Sequence, residues 1–275
     1  MRKEIIDSKR IVIKIGSSSL THKDSGDINY RKLEQLVRVL SDLMSMGKEV
    51  ILVTSGAQAV GRQVLRLNTI PEALKKKQAL AAVGQAKLMM TYERLFSEYN
   101  HTVAQVLMTK ETMQKETTRN NAANTFDALI QLGVIPIVNE NDTVATHEIE
   151  FGDNDHLSAF VVSLIDADLL IILSDIDGLY TDDPSLNKDA KFISYVDKLT
   201  DEYFKMGKET SSSDLGTGGM RAKLDAAKIA GASGAHMVLM NGKDVTKIYD
   251  VIEGKEIGTF FKANEEEDFD IKEHM

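Results

Sequence analysis

Cysteine is absent from this chain of 275 residues, which excludes a disulfide framework and thiolate catalysis and fits a reducing compartment. Proline is scarce: Pro71, Pro136 and Pro184 are the three in the chain, and no Ser/Gly/Pro-rich linker divides it. No apolar run approaches the ~18 residues of a membrane span. The opening MRKEIIDSKR is charged where a signal sequence has its apolar core. Positive charge is in deficit, with 33 Lys and Arg against 42 Asp and Glu and a net −9, which argues against broad binding to nucleic acid or to an anionic membrane. The six histidines lack zinc-ligand spacing, and no EF-hand loop occurs. A soluble, cytoplasmic chain is expected, long enough for one large α/β domain or two smaller ones.

What is present is a series of short apolar runs: 11–15 (IVIKI), 49–53 (EVILV), 103–108 (VAQVLM), 134–138 (VIPIV), 168–173 (DLLIIL) and 236–240 (HMVLM). Continuous rather than alternating hydrophobicity predicts strands buried on both faces of a mostly parallel sheet. Helical periods lie between them. Leu33, Leu36, Val37, Leu40, Leu43 and Met44 form one stripe, which Gly47 is placed to end. The expected architecture is a three-layer α/β/α sandwich over residues 1–262, followed by an acidic tail, 263–275, which frays unless Phe269 and Ile271 dock it.

Nearly every predicted strand runs directly into small or polar residues, at 16–19, 54–56, 109–110, 139–142, 174–178 and 241–243. In an open parallel sheet the ligand crevice lies at the carboxyl ends of the strands, so these clusters are expected to converge. Lys14 interrupts a strand, where an unpaired ammonium is expensive to bury; it points at a ligand anion or lies at a solvated strand end. Gly16 permits a tight turn, after which the amides of Ser17–Ser19 can form an anion nest. In VTSGAQAVGR, Thr54 or Ser55 can cap a helix and Gly56 permits close approach of a ligand, while Arg62 reads as a surface or interface residue. The stretch from Asn139 to Asp155 offers Asn139, Asn141, Asp142, Asp153, Asn154 and Asp155, acidic and amide groups that suit an ammonium, magnesium or hydroxyls better than phosphate; GDND also reads as a helix cap. Asp175 stands at a strand tip, suited to ribose hydroxyls or a magnesium-bound phosphate. Asp177-Gly178 and Asp183-Pro184 are turn pairs.

The stretch GTGGMRAKLDAAKIA, starting at Gly216, matches neither a Walker loop nor GxGxxG, because Lys223 follows Gly219 by four residues and Arg221 takes the place of the last glycine. It reads as a flexible loop feeding a helix, with bare amides and a lysine able to hold phosphate, or as a structural glycine turn.

Together IVIKIGSSSLT, LVTSGAQAVGR, IVNENDTV, FGDNDHLSA, LSDIDGLYTDDP and GTGGMRAKLDAA resemble the amino acid kinase family over residues 9–262, and within it the branch that phosphorylates glutamate. The resemblance implies an α/β/α sandwich whose N-terminal half binds the amino acid and whose C-terminal half binds ATP. Residue by residue, Lys14 and Lys223 resemble the pair that stabilises the transferring phosphoryl group, and Asp155 the residue that orients them. Ser55, Asp142 and Asn154 match glutamate-binding positions, with Asn139 beside them. Ser174, Asp175, Thr217, Gly218, Gly219, Met220 and Lys223 match the nucleotide site, and Gly16 joins them. The implied reaction makes γ-glutamyl 5-phosphate and ADP from L-glutamate and ATP with Mg²⁺, the first step of proline biosynthesis. Also implied are a homo-oligomer, dimer or tetramer, coupling to glutamyl phosphate reductase, and feedback inhibition by proline through the loop between Asp142 and Asp155. Protein ligands for the metal are unassigned. The residues after 262 are expected to be too few for the C-terminal PUA module that many members carry.

Overall fold

In the computed structural model the described residues are 2–22, 24–145, 154–209 and 219–274, with the backbone alone for 207–209. The chain runs α1 (Lys3–Ile6), β1 (Arg10–Ile15), α2 (Ser17–Leu20), α3 (Tyr30–Ser45), β2 (Glu49–Thr54), α4 (Ala57–Val64), α5 (Leu74–Ser97) and β3 (Val103–Met108). It continues through α6 (Lys110–Gln114), α7 (Glu116–Gln131), β4 (Ile135–Glu140), α8 (Asn154–Leu164), β5 (Leu169–Ser174), β6 (Leu179–Tyr180), β7 (Phe192–Ile193) and β8 (Tyr195–Val196). Then follow α9 (Asp201–Glu209), α10 (Met220–Ala232), β9 (His236–Asn241), α11 (Lys247–Ile252) and β10 (Thr259–Phe261).

Six of these strands coincide, within two residues at either end, with the six apolar runs, and α3 carries the expected stripe and stops before Gly47, whose φ is +81°. The main sheet has eight strands in the order β3-β4-β2-β1-β5-β9-β10-β8, and β10 is antiparallel to β9 at an otherwise parallel core. β1 is central: Lys14 lies opposite Val53 of β2 on one side and Ile172 of β5 on the other. Chain order reverses between β1 and β5, the kind of switch point where open α/β sheets form ligand crevices.

Two apolar layers cover the sheet, as alternation along each strand requires. Ile11, Ile13 and Ile15 face a layer containing residues of α3, α5 and α11. Val12 faces the opposite layer, built from α7, α8 and α10. Period two therefore turns Lys14, like Val12, toward α8 and α10.

The far edge is fastened from both termini. Buried Arg2 donates to the carbonyls of Ile257, Ser194 and Gly258 and lies over the Phe260 ring, with its centre of charge 5.5 Å from the ring centroid. The acidic C-terminal segment docks rather than frays. The amides of Asn264 and Glu266 donate to the carbonyls of Gly231 and Ala232, Ile271 is buried among the α7–α8–α10 layer, and Phe269 packs beside it.

Helices α4 and α5 cross almost backbone to backbone. A Cβ on Gly84 would lie 1.7 Å from the carbonyl oxygen of Ala57, and one on Gly61 would lie 2.0 Å from that of Leu80. Gly84→Ala gains about 1 kcal/mol of helix propensity. The clash is with backbone and cannot be relieved by a rotamer, so overpacking, at about 1–3 kcal/mol, is expected to win. Thermal denaturation should show a lower Tm for this variant.

Candidate active site

The carboxyl ends of β1, β2, β4, β5 and β9 gather the polar clusters at one edge of the sheet, and α8 lies across β1, β2, β4, β5 and α10. At the centre, Asp155 on the first turn of α8 receives two ammonium groups. Lys14 Nζ is 2.5 Å from its Oδ1 and Lys223 Nζ is 3.0 Å from its Oδ2. The carboxylate is fully buried, and each lysine side chain is only 9 % exposed. Burying three ions is tolerable because each is paired. The cluster carries a net charge of one positive unit, so it is suited to receive an anion. Lys14 is thus neither unpaired nor at a solvated strand end: a long-range carboxylate satisfies it.

Gly16 adopts φ −83° and ψ 161°, extended backbone open to any residue, and opens the short helix α2. A Cβ there would stand 3.5 Å from the Lys14 ammonium, an ordinary contact that places Gly16 beside the lysine. Ser17 and Ser18 follow it on the exposed side.

On the β2–β4 side the amides form a chain. Asn154 Nδ2 donates to the Thr54 carbonyl (2.6 Å), Ser55 Oγ (2.8 Å) and Asn139 Oδ1 (2.9 Å). Asn139 Nδ2 in turn donates to Gln85 Oε1 of α5 at 2.9 Å. Asn139 is 3 % exposed, its Oδ1 accepting from Asn154 and its Nδ2 donating to Gln85. Thr54 and Ser55 do not cap α4. That position belongs to Gly56, whose φ is +100°, a left-handed conformation that favours glycine. The Thr54 hydroxyl instead meets the buried phenol of Tyr92 at 2.8 Å, and burial pushes that phenol's pKa up. Gln58, on the first turn of α4, donates to Asp142 at 3.2 Å. Arg62 is turned inward onto Asp27 (2.7 Å) and the Ser25 carbonyl, holding the loop after α2.

Gln58 and Gln85 were not anticipated. Gln85 had a signal: it lies on the buried stripe of α5 with Leu80, Ala81, Gly84, Leu88 and Tyr92, a place where a carboxamide needs a partner.

On the β5–β9 side, Ser174 Oγ donates to Asp175 at 3.1 Å, and the Gly242 amide donates to the Ser174 carbonyl at 2.7 Å. Asn241 ties the turn by donating to Asp177 at 2.8 Å. Gly219, at the N-terminus of α10, has no atom within 4 Å of where a Cβ would lie. Gly178 is explained by its surroundings: φ is +156° and a Cβ would strike Thr259 Oγ1 at 2.5 Å.

The structure therefore brings Lys14, Gly16, Ser55, Asp142, Asn154, Asp155, Ser174, Asp175, Gly219, Met220 and Lys223 to one edge of the sheet. Thr217, Gly218 and Asp153, with most of the loop between Asp142 and Asp155, lie outside the described residues. Among the described residues no group of three or more His, Asp or Glu side chains converges to hold a metal ion, and no helix is long and apolar enough to cross a membrane.

Comparison with known proteins places this geometry. Residues 9–241 match the model of the amino acid kinase family. The chain is 49% identical over 271 residues to the glutamate 5-kinase of Clostridium perfringens, covering 97% of this chain and 100% of that protein. It is 46% identical over 273 residues to the glutamate 5-kinase of Enterococcus faecalis, covering 98% and 100%. In fold it resembles the carbamate kinase from Giardia lamblia bound to AMP-PNP, with a TM-score of 0.68 at 15% identity, over 94% of this chain and 99% of that one.

Proposed function

This chain belongs to the amino acid kinase family, and from that premise we infer that it transfers the γ-phosphoryl group of ATP to the γ-carboxylate of L-glutamate, giving γ-glutamyl 5-phosphate and ADP. The observation that carries the reading is the buried Lys14–Asp155–Lys223 cluster, set between an amide-rich wall on one side and a glycine-bounded helix start on the other.

The chemistry suits that machinery. Glutamate's side-chain carboxylate is ionised at neutral pH, so its oxygen attacks phosphorus without a general base. The difficulty is electrostatic: two anions must meet in line while charge spreads over the phosphoryl oxygens. The two ammonium groups, held by one carboxylate, are already desolvated and fixed, so they need little reorganisation as charge develops. Lys14 reaches the crevice from β1 and Lys223 from α10, so the pair spans the junction of the two halves.

Ser55 and Asn154 supply the wall against which the amino acid rests, and Asp142 supplies a carboxylate for its ammonium group. Ser174, Asp175 and the backbone around Gly219 receive the nucleotide. Magnesium is read as part of the substrate, carried on the phosphates of ATP and completed by water, the usual habit of this ion at phosphoryl-transfer sites. The product is a labile acyl phosphate, which supports coupling to a reductase that consumes it. Assembly as a dimer or tetramer and inhibition by proline at the loop between Asp142 and Asp155 extend the same reading.

Asp142→Ala is expected to raise the KM for glutamate by about 10-fold or more with little change in kcat. A charge-assisted bond to the ammonium is worth about 1.5–3 kcal/mol, and that interaction is common to ground and transition states. Steady-state kinetics in glutamate at saturating ATP measures it, and an unchanged KM would remove Asp142 from the pocket.

The reading as a whole is tested by trapping the product with hydroxylamine. Purified protein with MgATP should form hydroxamate from glutamate and not from aspartate or N-acetylglutamate. ADP release that required UMP, with no hydroxamate from glutamate, would move the activity to a nucleotide acceptor.

A further inference from the structure

Just outside the buried ion cluster, a second set of side chains links α9, α10 and α8. Arg221 and Lys223 flank Ala222, so they leave the first turn of α10 in widely different directions. Lys223 goes inward to Asp155. Arg221 stays with Asp225 one turn on, its Nε 3.0 Å from Oδ2 and 3.2 Å from Oδ1. The same carboxylate also lies near His156 on α8, with Nε2 3.8 Å from Oδ2. The Arg221 guanidinium also lies over the Phe204 ring of α9, 4.6 Å from its centroid.

Two consecutive residues of α8, Asp155 and His156, thus meet two residues of α10, Lys223 in a buried ion pair and Asp225 at the longer distance. Asp225 is partly buried, and burial alone would raise its pKa, yet the neighbouring His156 and Arg221 hold it below the usual carboxylate range.

Lys223 lies on the first turn of α10, whose N-cap, Gly219, offers no side chain to the first-turn amides. Side-chain contacts to α8 and α9 therefore fix the direction in which Lys223 leaves the helix. Phe204 precedes the segment 210–218 and Arg221 follows it, so the contact also joins the two ends of the glycine-bearing stretch.

We propose that Phe204, Arg221, Asp225 and His156 form a positioning brace that ties the first turns of α10 to α8 and α9 and holds Lys223 in register with Asp155 and the transferring phosphoryl group. None of the four touches the reacting atoms. The inference rests on the phosphoryl-transfer reading above.

The experiment compares kcat and KM for Asp225→Ala, His156→Ala, the double variant and Asp225→Glu in the full chain, with the folded fraction fixed by circular dichroism. Tyr249→Phe is the control, since it deletes a hydrogen bond to Asp42 between α11 and α3, on the opposite face of the sheet. Asp225→Ala is expected to lower kcat about 10-fold or more, as small misplacements of a reacting group do, with the KM for glutamate unchanged. His156→Ala should add little in the double variant, and Asp225→Glu should recover part of the rate. The brace is overturned if Asp225→Ala keeps kcat within twofold of wild type. It is equally overturned if the single losses multiply in the double variant, or if Tyr249→Phe lowers kcat as much for the same loss of Tm. Rates are scored with whichever acceptor the wild-type chain phosphorylates, so a failure of the glutamate assignment would be seen separately in the wild-type protein.

Discussion

Lys223→Ala and Lys14→Ala are each expected to lower kcat by about 10²-fold or more while leaving the protein folded, on the scale of a lost electrostatic contact to a developing charge. Folding survives because Asp155 keeps one of its two partners in either variant, at 2.5 Å or 3.0 Å. The remaining Asp155–lysine pair is then neutral overall, and the site loses the net positive charge that meets the phosphoryl oxygens. Ground-state binding of glutamate should change less than turnover, because Asp142, the residue proposed for its ammonium group, is untouched. Steady-state kinetics beside a thermal melt measures both quantities. Near-wild-type turnover in both variants would remove the lysines from the chemistry.

Asp155→Ala should act on stability as well as on rate. It leaves two ammonium groups, each side chain 9 % exposed, without the carboxylate between them. Breaking a buried pair by deleting one partner costs about 3–5 kcal/mol, mostly the penalty of the charge left behind. Here two like charges remain, so the upper part of that range is expected. A polyanion that enters the site supplies the missing negative charge, so inorganic tripolyphosphate should raise the Tm of Asp155→Ala more than that of wild type. Denaturant titration with and without tripolyphosphate checks this. An unchanged unfolding midpoint would mean that the ion cluster does not hold α8, α10 and β1 together.

How far the sequence discloses this arrangement depends on the range of each interaction. The β-strands of the core are local: Ile, Val and Leu runs bounded by polar residues locate β1 to β5 and β9 because buried parallel strands must be apolar on both faces. The convergence of strand ends follows from parallelism alone. The meaning of Lys14 is not local, because its partner is 141 positions away on another element. From residue types GDND serves equally well as a helix cap; only the family resemblance put Asp155 between two lysines. Asn139 reads as a ligand because it is polar beside a strand end; its bonds to Gln85 and Asn154, on other elements, are not legible in the sequence. Gly84 gives no sign in the sequence of the close helix crossing that requires it. For the acidic tail the composition leaves fraying against docking by Phe269 and Ile271, and the two apolar residues, with the backbone bonds of Asn264 and Glu266, seat it.

The central claim is that the Lys14–Asp155–Lys223 cluster binds the transferring group more tightly than it binds either substrate. The most direct measurement is the affinity of wild type, Lys14→Ala and Lys223→Ala for MgADP with tetrafluoroaluminate in the presence of glutamate, a mimic of the phosphoryl group in flight, beside their affinities for MgADP alone. Transition-state mimics gain about 10²-fold or more over substrates when the site is built for the transition state. Wild type should show that gain, and both lysine variants should lose most of it while retaining MgADP. Equal retention of the mimic by the variants would contradict the account and assign the two lysines to holding the fold alone.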